Sequence, residues 1–287
     1  MKTRTDIQTS GNLYLVPVPI GNLGDITLRA LEVLSSVELI AAEDTRTTSF
    51  LLNHHGIAYQ ELISYHKFNE RARINLLIDH LRSGKDLAVV SDAGTPALSD
   101  PASILVDAAI EEDIPVIALP GASALLPALT ASGLNDGPFL FLGFLPTKAK
   151  HRSQFLNQIK ASPHPIVLYE APHRIEKLMC ELQQLLGDRK VCLAREITKL
   201  HEEYIRGTLT ELSEPGRIKA KGEFVVVIDK APEANQPNTQ QIEQLVTLLK
   251  QEGISISSAT KILMQATGIK RNQAYRLLLD KEEEASE

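Results

Sequence analysis

Short runs of apolar residues recur along the chain up to about residue 230, and most are continuous rather than alternating. Such runs are typical of strands that are covered on both faces of a sheet. Helical spacing of apolar residues appears between several of them. The pattern predicts eight strands, at residues 13–20, 37–42, 87–90, 115–119, 139–145, 165–169, 190–194 and 223–228. It predicts helices at 69–84 and 173–186, and a third helix that begins at the capping pair Asp100-Pro101 and ends at residue 113. Because strands and helices alternate, an α/β fold is predicted.

Two breaks interrupt this pattern. The segment NDGP at 135–138 precedes a new set of strands, and APEANQPN at 231–238 is typical of a polar linker. We therefore predict two α/β domains with a cleft between them, at 12–136 and 137–231, and a small helical module at 239–284. The helices of this module are predicted at 239–252, 257–267 and 272–284.

The composition indicates a soluble globular protein. The 30 basic and 36 acidic residues give a net charge of −6, which argues against a protein that coats nucleic acid through charge alone. No apolar run approaches the roughly 18 residues of a membrane helix, and no signal peptide is evident. A cytoplasmic location without membrane contact is therefore expected. Cys180 and Cys192 are expected to be two buried, small apolar residues.

Complete nucleotide, nucleophile and metal signatures are missing from the sequence. Gly21 and Gly24 form only a G-x-x-G pair, without the rest of a dinucleotide fingerprint, and no Walker lysine motif occurs. Ser123 lies in GASAL, where a hydrolase elbow would end in glycine. No convincing set of metal ligands appears, so metal chemistry is not expected.

Small and acidic residues follow four predicted strands. In open α/β sheets, ligands bind at the carboxyl ends of the strands, where these loops would meet. A single loop of this kind is explained equally well by turn formation, but four at one edge favour a ligand site. The loops are 17–25, 43–46, 91–101 and 120–123. Loops at 169–174 and 195–199 repeat the pattern in the second domain, which places the site between the domains. For Arg195 and Glu196, a structural ion pair is the alternative.

Several motifs, in this order, closely resemble one enzyme family. They are VPVPIGNLGDIT, LIAAEDTR, VVSDAGTPALSDP, LPGASALLPAL, GFLP, YEAPHR and ARE-ITK. The sequence resembles the ribosomal RNA small subunit methyltransferase I family over about residues 12–230. That family methylates a cytidine 2′-hydroxyl in the decoding region of 16S rRNA. The resemblance implies a tetrapyrrole-methylase-like fold with S-adenosylmethionine in the cleft, the small ribosomal subunit as partner, and a homodimer.

The resemblance also implies site residues by position. The cofactor should contact Pro19, Gly21, Asp92, Ala93, Gly94, Thr95, Pro120, Gly121, Ser123, Tyr169 and Arg195. Candidates for a base that removes the hydroxyl proton are Asp44, Glu170 and Lys199, although alignment without a base is also possible. Arg46 and Arg174 are candidates for phosphate contacts, as are Lys261, Lys270, Arg271 and Arg276 of the helical module. The alternative for the module is that these four side chains form an ordinary solvated face.

Two other functions remain open from the sequence. One is a methyltransferase of the same fold that acts on a small, tetrapyrrole-like molecule, which a methylation assay would distinguish. The other is a non-catalytic RNA-binding module, which should have no affinity for S-adenosylmethionine. The basic helical module and the EDTR loop favour ribosomal RNA over the tetrapyrrole.

Overall fold

A computed structural model describes residues 10–98, 102–135, 137–232 and 239–279. Its chain divides into two compact units, residues 1–230 and 231–287. The first unit contains two five-stranded sheets, and the described part of the second contains three helices. None of the helices in the described ranges is both long and apolar enough to cross a membrane.

The first sheet is entirely parallel, in the order β3-β2-β4-β1-β5. Its strands are β1 (Leu13–Leu15), β2 (Leu39–Ala42), β3 (Glu61–Ser64), β4 (Leu87–Val90) and β5 (Val116–Ala118). Its helices are α1 (Leu28–Ser36), α2 (Thr45–His54), α3 (Glu70–Arg82) and α4 (Ala102–Glu111), and a 3-10 turn covers Leu23–Asp25. Along β4, Leu87 and Val89 belong to one apolar cluster, and Ala88 and Val90 to another. Burial on both faces explains why these strands are continuous apolar runs.

The second sheet is mixed, in the order β6-β7-β10-β8-β9, with only β6 and β7 parallel. Its strands are β6 (Leu140–Phe144), β7 (Ile166–Glu170), β8 (Lys190–Arg195), β9 (Glu203–Thr208) and β10 (Phe224–Ile228). Its helices are α5 (Leu125–Ser132), α6 (Ala149–Ala161), α7 (Pro172–Leu186) and α8 (Leu209–Leu212). Helices α6, α7 and α8 share one core with this sheet, and α5 covers its other face. Helix α5 precedes the break at 135–138, yet it packs on the second sheet.

The second unit has a core of its own. Its helices are α9 (Thr239–Gln251), α10 (Ile256–Thr267) and α11 (Arg271–Leu279). Val246, Leu263 and Leu278, one from each helix, are buried together. Ser255 caps α10 by accepting a hydrogen bond from the Ser258 amide, and Gly268 ends the helix in the left-handed conformation.

The predicted α/β class is confirmed, and each of the eight predicted strands overlaps a strand of the structure, although β7 and β8 each end one residue later than predicted. Strands β3 and β9 are additional. The predicted helices 69–84 and 173–186 are confirmed as α3 and α7, whereas the capping pair Asp100-Pro101 and residues 280–284 lie outside the described residues. One expectation is wrong: Cys192 is buried but Cys180 is exposed, because it lies on the outer side of α7.

Candidate active site

A cavity of about 490 Å³ lies between the loops at the carboxyl edge of the first sheet and the second sheet. Its residues come from both sheets and are mostly small or apolar, with four carboxylic acids. They are Ile20, Glu43, Ser91, Asp92, Ala93, Gly94, Thr95, Leu98, Ser123, Ala124, Phe144, Tyr169, Glu170, Ala171, Pro172, Ile197, Glu223, Phe224 and Val225. Among these described residues there is no Lys, Arg or His. A cavity of this size and composition suits a ligand that combines apolar surface with positive charge.

Backbone contacts hold the loops of the first sheet together at the cavity. Val18 and Gly94 exchange two backbone hydrogen bonds of 2.9 Å, which join the loops after β1 and β4. Thr95 Oγ1 donates to the carbonyl of Ala122 at 3.0 Å, which joins the loop after β5. A Cβ atom on Gly121 would lie 2.6 Å from Pro17 Cβ, so Gly121 allows these loops to approach closely.

Acidic residues and one arginine lie at the first-sheet side of the cavity. Arg46 donates from Nη2 to Asp44 Oδ2 at 2.6 Å, and this hydrogen-bonded guanidinium lowers the pKa of Asp44 to about 2. Partial burial and the charge of Asp44 raise the pKa of Asp92, which lines the cavity. The Asp92 amide donates to Glu43 Oε2 at 3.2 Å. Asp44 is therefore ionised at neutral pH, and Asp92 is the residue whose charge a cationic ligand would stabilise.

Aromatic side chains form the second-sheet side. Burial raises the pKa of Tyr169, and hydrogen bonds with Ser123 and the Leu125 backbone offset part of that effect. The Tyr169 ring contacts those of Phe141 and Phe144, with centroids 5.0 and 5.6 Å apart. The bond between Tyr169 and Ser123 connects the second sheet to the loop after β5.

Glu170 and Arg174 form an ion pair at the cavity wall, in which Glu170 is buried and the Arg174 side chain is partly exposed. Glu170 Oε1 forms an ion pair with Arg174 Nε at 3.1 Å and accepts a hydrogen bond from the Ala171 amide at 2.8 Å. Arg174 Nη2 also donates to the Leu145 carbonyl at 3.0 Å. Glu170 Oε2 is buried without a hydrogen-bond partner. The Arg174 guanidinium is thus engaged inside the protein.

The loop after β8 carries a second group of ion pairs. Lys199 Nζ donates to Glu196 Oε1 at 3.1 Å and to Glu223 Oε2 at 2.9 Å. Burial alone would lower the pKa of Lys199, but these two carboxylates outweigh it and raise the pKa. Arg195 is buried and pairs with Glu203. Arg195 and Glu196 both form structural ion pairs, but with Glu203 and Lys199 and not with each other.

The structure brings together six of the residues predicted to hold the cofactor. Asp92, Ala93, Gly94, Thr95, Ser123 and Tyr169 line the cavity. Five others do not line it, namely Pro19, Gly21, Pro120, Gly121 and Arg195. Gly21 instead packs against Lys199 and Thr198, and a Cβ atom there would lie 2.5 Å from Lys199 Cγ.

Several cavity residues are not predicted by the sequence. The most important are Phe144 and Glu223, which lie outside the predicted site loops. Glu43 and Ile197 lie in the predicted loops 43–46 and 195–199 but are not among the predicted contact residues. Phe144 and Glu223 each lie at or directly beside the end of a predicted strand, so position was the available signal. Of the predicted bases, Glu170 lines the cavity, whereas Asp44 and Lys199 lie beside lining residues.

The predicted RNA-contacting cations differ in exposure. The Arg46 side chain is 90% exposed while it remains paired with Asp44, whereas the Arg174 side chain is 25% exposed. In the second unit, the four predicted cations are all exposed, namely Lys261, Lys270, Arg271 and Arg276.

Comparisons with known proteins agree with this architecture. Residues 12–213 match the family of tetrapyrrole (corrin/porphyrin) methylases. The uroporphyrin-III C-methyltransferase of Thermus thermophilus, solved with S-adenosyl homocysteine, superposes with a TM-score of 0.57 at 19% identity. The superposition covers 77% of this chain and 98% of that one, and it shows the fold.

Curated relatives share much more sequence. The ribosomal RNA small subunit methyltransferase I of Synechocystis is 45% identical over 276 residues, which cover 95% of this chain and 99% of that protein. The protein of the same name from Micromonospora olivasterospora is 43% identical, over 95% of this chain and 88% of that protein. The resemblance seen in the motifs is thus confirmed, and the chain belongs to the tetrapyrrole methylase family and, within it, to the ribosomal RNA small subunit methyltransferase I family.

Proposed function

We propose that the protein transfers a methyl group from S-adenosylmethionine to the ribose 2′-hydroxyl of a cytidine in the decoding region of 16S rRNA. Family membership makes it a methyltransferase that depends on this cofactor. One observation supports ribosomal RNA as the substrate. Over nearly its whole length, the chain is more than 40% identical to proteins named ribosomal RNA small subunit methyltransferase I. The fold alone does not choose between ribosomal RNA and a tetrapyrrole.

The residues of the cavity fit the cofactor. S-adenosylmethionine carries a sulfonium and an ammonium group, and the cavity has carboxylates but no basic side chain among its described residues. Asp92 would hold a cationic or hydroxyl group, since its pKa is raised and a positive partner would relieve that shift. Gly94 and Ala93 leave room for close backbone approach, and Ile20, Ile197 and Val225 offer apolar surface. We therefore assign the cofactor to this cavity.

When bound, the cofactor supplies an activated methyl group on a good leaving group. The protein must then hold the 2′-oxygen in line with that group and exclude competing water, and positioning can contribute several kcal/mol. Lys199 is protonated, since its pKa is raised, and so it cannot accept the hydroxyl proton. Glu170 Oε2 is sealed from solvent. Of the three candidates, Asp44 is left as the acceptor, although its low pKa makes it a weak one.

We assign the first RNA contact to Arg46, at the edge of the cavity. Its guanidinium is oriented by Asp44 and otherwise exposed, which suits a phosphate. The four exposed cations of the second unit would add phosphate contacts that position the substrate without reading its sequence. Arg174 is assigned a positioning role instead, since its donors face Glu170 and Leu145.

Three further expectations belong to this proposal. The protein works in the cytoplasm, where its substrate is assembled. It forms a homodimer. Its sequence is organised as α/β domains at 12–136 and 137–231 and a helical module at 239–284. The first is tested by fractionation of cells, the second by the mass of the protein in solution, and the third by limited proteolysis of the full chain.

The deciding experiment incubates the full-length protein with S-adenosylmethionine and small ribosomal subunits that lack the modification. Mass spectrometry of the digested RNA should find 2′-O-methylcytidine. A parallel reaction with a tetrapyrrole acceptor should remain unmethylated. If the cofactor binds but neither substrate is methylated, the proposed substrate is wrong. If the cofactor does not bind, the non-catalytic alternative is favoured.

A further inference from the structure

One aromatic side chain on the cavity wall has no role in the proposal so far. Phe144, at the end of β6, lines the cavity although 54% of its surface is exposed. Its ring lies 5.6 Å from that of Tyr169, centroid to centroid, at an interplanar angle of 59°. Exposure of so large an apolar ring inside a cavity indicates a binding surface rather than a core position.

An irregularity in β6 directs this ring toward the cavity. Along β7, Leu168 belongs to the core beneath α6 and α7, whereas Tyr169 faces the cavity side. The pairing of β6 with β7 passes from Phe141↔Val167 to Gly143↔Leu168, so one extra residue interrupts the register. Gly143 has a φ of +59° at this point. Because of this extra residue, Phe144 pairs with Tyr169 and lies on the cavity side of the sheet. In a regular register, Phe144 would lie on the core side.

Two arginines fix the turn that follows Phe144. Arg174 Nη2 donates to the Leu145 carbonyl at 3.0 Å, and Arg152 Nη1 donates to the Pro146 carbonyl at 3.3 Å. Each arginine is held by a carboxylate, Arg174 by Glu170 and Arg152 by Glu181. Because both arginines are themselves paired with carboxylates, two anchored side chains hold the backbone that follows Phe144.

We propose that Phe144 is the surface on which the base of the target nucleotide stacks when its ribose enters the cavity. This inference rests on the proposed function, since it requires an RNA ribose as the methyl acceptor. A base that leaves its RNA stack loses favourable stacking, and an aromatic side chain replaces it. Ile197 and Val225, which line the cavity and are buried, would offer apolar surface to the cofactor's own base, and this would leave the exposed ring of Phe144 to the substrate.

The test compares variants of Phe144 in the full-length protein. Phe144→Ala and Phe144→Leu remove the ring, and Phe144→Tyr keeps it. With unmodified small subunits, the first two should lower kcat/KM about tenfold or more through a higher KM, as expected when one stacked base loses its aromatic partner. Phe144→Tyr should stay close to the wild type. The dissociation constant of S-adenosylmethionine, from calorimetry, should be unchanged in all three.

Phe139 provides a matched control. It is 38% exposed, directly precedes β6, and is not among the residues that line the cavity. Phe139→Ala should keep the wild-type KM, and thermal melting should show that every variant is folded.

A fluorescent variant distinguishes the two possible bases. The sequence contains no tryptophan, so Phe144→Trp gives the protein a single one, at the stacking surface. Titration with S-adenosyl homocysteine should leave its emission unchanged. Quenching by this ligand, or a weaker cofactor affinity of Phe144→Ala, would assign the ring to the cofactor's adenine and overturn the inference.

Wild-type KM values for Phe144→Ala and Phe144→Leu would also overturn it while the proposed function stands. A wild-type protein that methylates no RNA would overturn both.

Discussion

The backbone amide of Asn22 donates a hydrogen bond of 3.0 Å to Thr198 Oγ1, and this bond joins the loop after β1 to the loop after β8. Thr198 has a φ of +67°, which is unusual for a β-branched residue. A further bond of 2.6 Å, from the Thr198 amide to Glu202 Oε2, holds it there. Such a conformation persists only where the surrounding contacts determine it. The two loops are therefore fixed against each other at one side of the cavity.

Gly21 is predicted to be essential for this contact. Gly21→Ala would place a Cβ atom 2.5 Å from Lys199 Cγ and 2.8 Å from Thr198 Oγ1, so these side chains or their loop must shift. We expect a decrease of about 1–3 kcal/mol in the free energy of unfolding, the usual cost of overpacking. Denaturant titration measures it. Gly24→Ala, in the same loop, is the control, because the nearest atom there is Asn22 Oδ1 at 3.3 Å. Equal decreases for the two variants would contradict the prediction.

Lys199 is predicted to act through its charge and not as a base. Glu196 and Glu223 hold it protonated, so Lys199→Arg keeps the cation and should retain most of the turnover. Lys199→Met should lower turnover further, since it leaves both carboxylates without their partner. Steady-state kinetics with small subunits measures both. If Lys199→Arg lowered kcat roughly 100-fold or more, the effect of removing a general base, the assignment would be wrong.

Asp92 is predicted to make the apoprotein less stable as the pH rises. Its pKa is raised in the folded state, so the folded protein holds this proton over a pH range where the unfolded chain has released it. The stability associated with Asp92 is thus present at acidic pH and lost as the pH rises through the raised value. The melting temperature of Asp92→Asn should therefore increase relative to that of the wild type as the pH is raised from 4 to 7. A difference that does not change with pH would refute this.

The same substitution should weaken cofactor binding. At pH 7, Asp92→Asn removes the carboxylate that we assign to the cofactor, so the dissociation constant measured by calorimetry should rise. Ser132→Ala is a suitable control, because Ser132 is buried in α5 and does not line the cavity. An unchanged dissociation constant for Asp92→Asn would remove Asp92 from the cofactor site.

Arg46 and Asp44 are predicted to affect turnover without affecting cofactor binding. Neither side chain lines the cavity, and Arg46 extends into solvent. Arg46→Ala should raise the KM for small subunits, and the slope of log affinity against log salt should become shallower by about 0.7–0.9, as for one phosphate contact. Asp44→Asn should lower kcat. Calorimetry with S-adenosylmethionine should give wild-type values for both, and a weaker affinity would mean that they belong to the cofactor site.

Burial determined how much of the fold could be predicted. Strands β1, β2 and β4 are covered on both faces, so their apolar runs are visible in the sequence. Strands β3 and β9 lie at sheet edges and are only partly buried, and their sequences ELIS and EYIRGT carry polar residues that hide them. An edge strand has one neighbour and needs less apolar surface.

Site residues could be predicted from the sequence where they directly follow the end of a strand. They could not be predicted where their position depends on the register between strands or on the partner of an ion pair. The loop at 91–95 provides cavity residues because it directly follows a buried parallel strand. Phe144 resembles one more apolar strand residue, since nothing in GFLP reveals the irregular register that turns it toward the cavity. Likewise, the partner of Arg195 is Glu203 on the adjacent strand β9, which the sequence does not identify.

The second unit is predicted to contribute phosphate contacts through Lys261, Lys270, Arg271 and Arg276, all of which are exposed. Replacing all four by Gln in the full chain should leave its core intact, because Leu263, Ala274 and Leu278 are unchanged. The KM for small subunits should rise, and the salt dependence should weaken by about 0.7–0.9 for each phosphate that is no longer neutralised. The cofactor dissociation constant should not change. Lys85→Gln is the control, since this exposed lysine precedes β4, at the edge of the sheet opposite the cavity. If the fourfold variant kept the wild-type KM and salt dependence, these side chains would be an ordinary solvated face, and substrate positioning would depend on the first unit.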